Sequence, residues 1–465
     1  MPRWLVPLVL ALLTGSSAAV ALGASTATRG GDGATASPLV PVLSARRVPG
    51  VVSNLVSDTR LRAGLEAALA NPTLGAGRNR SCLVVRQEGR RLFERRPTTP
   101  LIPASTMKVL TAQAVLARLG PDQRLDTEVR AAHPVGPGGV VNGPLWLVGG
   151  GDPVLTTADY AITPPDQPQI RTRFETLADA LVNAGVRQVL GGVVGDETRY
   201  DVRRFVPTWK PTYLTSGQVG PASALNVNHG FASLGSAVAF AAQPDVLAAG
   251  VLIDLLRARG VVVAGGPGEG MAPPAAGVLA RISSPPMREL VAEMLLHSDN
   301  LTAELLVKEL GHRFANDGST ASGVRVLRET LSSLGLPVSD FSAVDGSGLD
   351  RGDVVTCGLL LSAVEANGPT GPLAAGLPVA GRSGTLAQRF SGNPAVGRLR
   401  AKTGSLDNVT GLAGYVEPVR AGPHLAFALL ANDVPSDGLG RALQEQVGAI
   451  LARYPQGPLP STLEP

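Results

Sequence analysis

Ser105 and Lys108 stand three residues apart in PASTMKVLTA, residues 103–112. Of the 41 lysines and arginines in the chain, only four are lysine: Lys108, Lys210, Lys308 and Lys402. A guanidinium stays protonated in a protein, whereas a buried ammonium can lose its proton and act as a base. Lysine at 108 therefore points to titration, not charge, as the property needed there. On a shared helix, positions i and i+3 lie on one face, and the amine reaches the hydroxyl. Burial through Met107, Leu110, Val115 and Leu119 would lower the lysine's pKa towards that of a working base.

A second lysine falls in an informative place. Lys402 opens a Lys-Thr-Gly in RAKTGSLDNVTGLAGY, on an expected strand, and Ser298-Asp299-Asn300 lies between two expected helices. A loop there can present the serine and the asparagine together. Ser-x-x-Lys, Ser-x-Asn and Lys-Thr-Gly in that order use two of the four lysines, which chance explains poorly. Lys210 and Lys308 match no such position and read as surface residues.

These residues need elements to hold them. SNLVSDTRLRAGLEAALANP reads as a helix with Leu61, Leu65 and Leu69 on one face, and SCLVVRQEGRRLFERR as two strands around Gln87-Glu88-Gly89. The nucleophile segment reads as a helix with Pro103 near its start and Gly120 just past its end. From about 122 to 284 the chain changes to short strands, turns and one or two helices. Helices return from 285, meeting near His297. Strands at LRAKTGS, VTGLAGYVEP and HLAFALLAND then precede a last helix, GLGRALQEQVGAILARY. The pattern is an α+β domain interrupted by another unit.

Bulk properties exclude several classes. The chain has 465 residues, 44% of them hydrophobic, and a net charge of +4 with its arginines scattered among acids. No basic block or interleaved aromatic stripe supports nucleic-acid binding. The five histidines (His133, His229, His297, His312, His424) show no ligand spacing and no Cys-x-x-Cys exists, so neither a metal nor a cofactor is expected. Gly149-Gly150-Gly151-Asp152-Pro153 reads as a tight turn, because Pro153 opposes a phosphate-cradling helix start. Residues 1–24, with Arg3 before an apolar run, read as a signal peptide or membrane anchor, and 25–50 as a Pro/Gly/Ser-rich linker. Export permits a disulfide, but Cys82 and Cys357 lie too far apart to form a framework pattern; free buried thiols are the preferred reading over a bond.

The ordered motifs resemble those of penicillin-binding proteins and class A β-lactamases. The chain resembles the class C low-molecular-mass penicillin-binding proteins, the D-alanyl-D-alanine carboxypeptidase/endopeptidases. The likeness extends to LWLVGGGDPVL, VVGDETRYD, VGPASALNVN, VDGSGLDR and LPVAGRSGTLAQRF, most of residues 55–452. It implies a serine β-lactamase/transpeptidase-like α+β fold, an antiparallel sheet flanked by helices plus a helical subdomain. The catalytic parts would be 51–121 and 285–455, around a mixed α/β insertion at 122–284, with a tail at 456–465.

The same resemblance implies Ser105 as the acylated nucleophile, Lys108 as its base and Ser298 as a proton relay. Asn300 would bind the substrate amide and help hold Lys108. Lys402 and Thr403 would bind the terminal carboxylate, and Gly404 would leave the strand open to substrate. The amides of Ser105 and Ser405 would form the oxyanion hole. Asp196 matches a position that reaches from the insertion towards the substrate's free amine, and it reads equally as a turn residue. Ser347 reads as shaping its turn, and His297 as incidental.

The implied activity is cleavage after D-alanine in peptidoglycan stem peptides outside the cytoplasm, inhibited by β-lactams. A membrane would be met only through an N-terminal anchor. A wall-associated scaffold that kept the fold without turnover, and a β-lactamase, are the alternatives. The first is opposed by the intact motifs. The second is opposed by the missing Glu-x-x-Leu-Asn and the size of the insertion.

Overall fold

Leu61, Leu65 and Leu69 recur every four residues and are buried on one face of helix α1 (Val48–Leu69) in the computed structural model, which describes residues 48–160, 170–232 and 239–463. Helix α1 begins inside the stretch expected to be linker; the rest of that linker and residues 1–24 lie outside the described residues. The chain divides into two units. Leu61–Tyr454 form the large one, and residues up to Arg60 with Pro455–Pro465 form the other. In the latter, Ser53 Oγ donates to the Pro458 carbonyl (2.7 Å) and Gly457 N to Ser57 Oγ (2.7 Å). No helix among the described residues is long and apolar enough to cross a membrane.

In the large unit, β1 (Ser81–Gln87) and β2 (Arg90–Arg95) form the expected hairpin, turning at Glu88 and Gly89 with positive φ. A 3₁₀ turn, Ala104–Thr106, leads into α2 (Met107–Leu119), so Ser105 precedes the α-helix instead of lying within it. Much later come β8 (Leu399–Leu406), β9 (Val409–Val416), β10 (Leu425–Asn432) and α9 (Asp437–Ala452). The hairpin joins them in one antiparallel sheet, ordered β8-β9-β10-β1-β2. Strands β9 and β10 are buried throughout, because helices cover both faces. Alternate residues therefore feed two cores. Leu83, Val85, Phe427 and Leu429 pack with α1 and α9, while Cys82, Val84, Ala428 and Leu430 pack with α2 and the helical section.

The intervening chain builds its own sheet from β3 (Asp126–Ala131), β4 (Leu145–Val148), β5 (Val193–Asp196), β6 (Pro267–Glu269) and β7 (Gly277–Ser283), ordered β6-β5-β4-β3-β7. Strand β5 runs parallel to both its neighbours, and β3 antiparallel to both of its own. Helices α3 (Glu175–Asn183) and α4 (Pro244–Arg257) bury Leu177, Leu181, Leu252 and Leu256 in its core. The glycine stretch after β4 is a turn in which Asp152 accepts from Val154 N (2.9 Å) and Thr172 Oγ1 (2.5 Å).

The helical section holds α5 (Met287–His297), α6 (Asn300–Ala315), α7 (Thr320–Ser333) and α8 (Cys357–Glu365). Two expectations are corrected here. Cys82 and Cys357 form a disulfide, with Cα atoms 5.9 Å apart. Helix α8 packs its first residue onto the β1 face that carries Cys82, bringing together residues 275 positions apart in sequence. Lys308 is not on the surface: it is buried on α6, bonded to Asp201 of the intervening chain and to the Arg203 carbonyl (3.1 Å). Beside it, buried Glu309 accepts two bonds from Arg199 (2.8 and 2.6 Å) and one each from Tyr200 (3.0 Å) and Arg313 (2.8 Å). Lys210 is half-exposed at the surface, paired with Asp407 at 2.5 Å.

Candidate active site

Ser105 sits on a constrained turn. Ala104 before it has φ 48°, a left-handed conformation uncommon for a residue with a side chain. Two glycines clamp this turn. A Cβ on Gly348 would lie 2.0 Å from the Ala104 carbonyl oxygen, and one on Gly404 would lie 2.7 Å from that of Pro103. Gly404 is thus required for packing β8 against the nucleophile turn, a different reason from openness to substrate. The turn leaves Ser105 half-buried while Lys108, one turn on, is fully buried.

Lys108 Nζ donates towards three oxygens: Asn300 Oδ1 (2.6 Å), the Ser347 carbonyl (2.6 Å) and Ser105 Oγ (3.2 Å). Burial lowers its pKa from 10.5 to about 8, and the carboxylates of Asp345, Glu304, Asp299 and Asp353 resist that fall. An amine with such a pKa is neutral often enough near pH 7 to accept a proton.

The junction between α5 and α6 presents the second motif. Ser298 ends α5 in a left-handed conformation (φ 61°), and Asp299 caps α6 by accepting from Thr302 N (2.8 Å). Ser298 and Asn300 therefore leave one tight turn together. Asn300 Nδ2 donates to the Gln218 carbonyl (2.7 Å), which fixes its Oδ1 on Lys108. Lys402, buried on β8 and paired with Ala413 of β9, donates to Ser298 Oγ (2.8 Å) and to the Thr403 carbonyl (2.8 Å). Burial, and the Lys108 charge nearby, hold Lys402 well below its ordinary pKa. Thr403 Oγ1 donates to Thr385 Oγ1 at 3.1 Å, and Ser405 is exposed further along β8.

Two hydrogen-bonded groups, Ser105–Lys108–Asn300 and Ser298–Lys402, thus form one cluster by meeting at the Ser298–Asn300 turn, with Thr403 and Gly404 on the Lys402 strand. Asp196 is not in it. Its Oδ1 accepts from Thr198 N (2.9 Å) and Thr198 Oγ1 (2.6 Å), and its Oδ2 from Ala272 N (2.8 Å). Both carboxylate oxygens are used in buried turns of the inserted chain, the turn reading of this residue. His297 lies 3.2 Å from Glu293 on its own helix. Ser347, read as a turn residue, also supplies the carbonyl on Lys108, a backbone contact invisible in side-chain patterns. Gln218 carried no signal either, and Thr385 lay in LPVAGRSGTLAQRF without being singled out.

A cleft of about 260 Å³ opens beside the cluster, lined by Gln218, His229, Phe231, Phe240 and the Ser298–Leu301 turn. A serine hydroxyl facing a buried amine, with a second lysine–serine pair alongside, suits acyl transfer to serine followed by protonation of a leaving amine. That chemistry, beside one sheet covered by helices on both faces, fits a serine hydrolase with a lysine where others place a histidine.

Residues 61–237 and 232–454 match the D-Ala-D-Ala carboxypeptidase 3 (S13) family, and the chain belongs to that family of serine peptidases. It is 33% identical over 463 residues to Carboxypeptidase DacB of Mycolicibacterium smegmatis, covering 95% of each chain. It is 31% identical over 481 residues to the D-alanyl-D-alanine carboxypeptidase of Actinomadura sp. (strain R39), covering 85% of each. The crystal structure of penicillin binding protein 4 (dacB) from Haemophilus influenzae shares the fold, with a TM-score of 0.67 at 22% identity, over 79% of this chain and 94% of that one.

Proposed function

We propose that the protein works outside the cytoplasm on peptidoglycan, cleaving the bond after D-alanine in stem peptides as a carboxypeptidase, an endopeptidase or both. Lys108 takes the Ser105 proton as Oγ attacks the D-alanine carbonyl carbon. The amides of Ser105 and Ser405 hold the oxyanion, where loss of one such donor generally costs about 2.7–4 kcal/mol of barrier. Ser298, bonded to Lys402, passes a proton to the leaving amine, and the C–N bond breaks to give an acyl-enzyme on Ser105. Water then releases the acid. Lys402 and Thr403 bind the terminal carboxylate, and Asn300 binds the amide that precedes the scissile bond. β-Lactams imitate the D-alanyl bond and acylate the same serine.

In this reading the catalytic parts are residues 51–121 and 285–455, with 122–284 inserted. The supporting observation is that one sheet takes strands from both parts while the inserted stretch builds its own. Asp196 has no role in the proposal.

One observation carries the assignment: a fully buried lysine with its pKa lowered to about 8 lies 3.2 Å from the Ser105 hydroxyl. The test is intact mass after incubation with a fluorescent penicillin. One stable adduct is expected on the wild type and none on Ser105→Ala. A folded wild type that takes no label refutes the proposal, and rapid loss of the label would favour a β-lactamase.

A further inference from the structure

Three oxygens of unequal chemistry surround Lys108 Nζ. Asn300 Oδ1 and the Ser347 carbonyl, each at 2.6 Å, can only accept hydrogen bonds; Ser105 Oγ, at 3.2 Å, can donate as well. A neutral amine has two N–H bonds and one lone pair. When the two acceptor-only oxygens take the N–H bonds, the lone pair is left facing Ser105, the orientation a base requires. The Gln218 carbonyl secures one of these acceptors by binding Asn300 Nδ2. The other belongs to residues 345–350, which form neither helix nor strand.

Glu304 supplies what that loop lacks. It follows Asn300 by four residues on α6, so both lie on one face of the helix. Its Oε1 accepts from Gly346 N (3.0 Å) and Ser347 N (2.8 Å), and the carboxylate is 1% exposed. The loop is fastened on its other sides. Asp345 accepts from Gly348 N (2.6 Å), Asp350 N (2.7 Å) and Trp209 Nε1 (2.8 Å), and Thr111 Oγ1 donates to the Gly346 carbonyl (2.7 Å). Among the described residues, only Glu304 grips the amide of the very residue whose carbonyl meets Lys108.

We propose that Glu304 is a positioning residue for proton transfer, holding the Ser347 carbonyl on Lys108 so that the amine's lone pair faces Ser105. This rests on the roles given to Ser105 and Lys108 above. Burial, with the Asp345 carboxylate adding, pushes the Glu304 carboxyl up to about 8. A group kept in so unfavourable a place is consistent with a task beyond packing.

The test measures acylation by a fluorescent penicillin from pH 6 to 10 on the full chain, with Ser105→Ala as blank. Glu304→Ala should lower the plateau rate by up to ~10²-fold, the scale expected for a misplaced catalytic group. Its acid limb should also move to lower pH, because the ammonium loses both an acceptor and a nearby carboxylate. Asp345, Asp353, Asp299 and Lys402 still face Lys108 and are unchanged. Glu304→Gln keeps an acceptor oxygen at the same reach and should stay within about threefold of wild type. Glu304→Asp, one methylene shorter, cannot span both amides and should lose at least ~tenfold.

A purely structural role would lower the melting temperature without moving the acid limb or the rate per folded molecule, and that result overturns the proposal. If Glu304→Ala does not fold, the Gln and Asp variants decide. Equal rates in both, whether at the wild-type level or equally lost, overturn it; rescue by Gln alone supports it. A wild type that is not acylated removes the functional reading itself, an outcome separate from these.

Discussion

The pH dependence of acylation tests the role of Lys108 most directly. The lysine acts as a base only when neutral, so the rate rises with pH and reaches half its plateau at the lysine's pKa, about 8. Such a group is about 9% neutral at pH 7 and about 91% at pH 9, so the rate should rise about tenfold between them and then level off. A lysine at its ordinary value would give a rise of about 100-fold over the same range with no plateau. Burial is therefore worth about 300-fold in available base at pH 7. Lys402 shares the site and feels the Lys108 charge, so the curve describes the pair. The assay is the second-order rate constant for labelling by a fluorescent penicillin, with Ser105→Ala subtracted. A rate that still climbs steeply through pH 10, or one flat from pH 6 upward, would refute the assignment of Lys108 as a buried base.

Two further outcomes follow from the packing. Gly348→Ala would place a Cβ 2.0 Å from the Ala104 carbonyl at a residue with φ +82°, displacing the turn that carries Ser105. Acylation should fall by up to ~10²-fold, and wild-type labelling would show that the turn does not need this clamp. Reduction of Cys82–Cys357 removes a cross-link between β1 and α8 and should cost about 2–4 kcal/mol of stability. Urea denaturation with and without reductant measures this, and coincident midpoints would contradict it.

The catalytic motifs were legible because each is a short string with a fixed order, and because lysine is rare in this chain. The main sheet was legible as well: HLAFALLAND and VTGLAGYVEP are nearly continuous apolar runs, as strands covered on both faces must be. Glu304 was not, since a glutamate on an amphipathic helix reads as solvent-facing until a partner loop is placed over it. Ser347 escaped because its contact with Lys108 is made by a carbonyl every residue possesses. Lys308 was misread because its counter-ion, Asp201, lies 107 residues earlier in another part of the fold. The disulfide was hidden by the same distance between sequence and space. Asp196 read equally as a functional position and as a turn residue; its oxygens are taken by Thr198 and by the amide of Ala272.

The buried ions on α6 bear on how this protein can be remade. Lys308 and Glu309 lie roughly two and a half turns beyond Asn300 on the same helix. Their partners Asp201, Arg199 and Tyr200 all belong to the inserted chain. Excising residues 122–284 would spare every residue of the three motifs, yet leave Lys308 without Asp201 and Glu309 without Arg199 and Tyr200. Removing one partner of a buried pair typically costs about 3–5 kcal/mol, a large share of what holds a domain together. Residues 122–284 are therefore no detachable accessory. A minimal enzyme trimmed to the motif-bearing segments would first need Lys308 and Glu309 replaced by apolar residues.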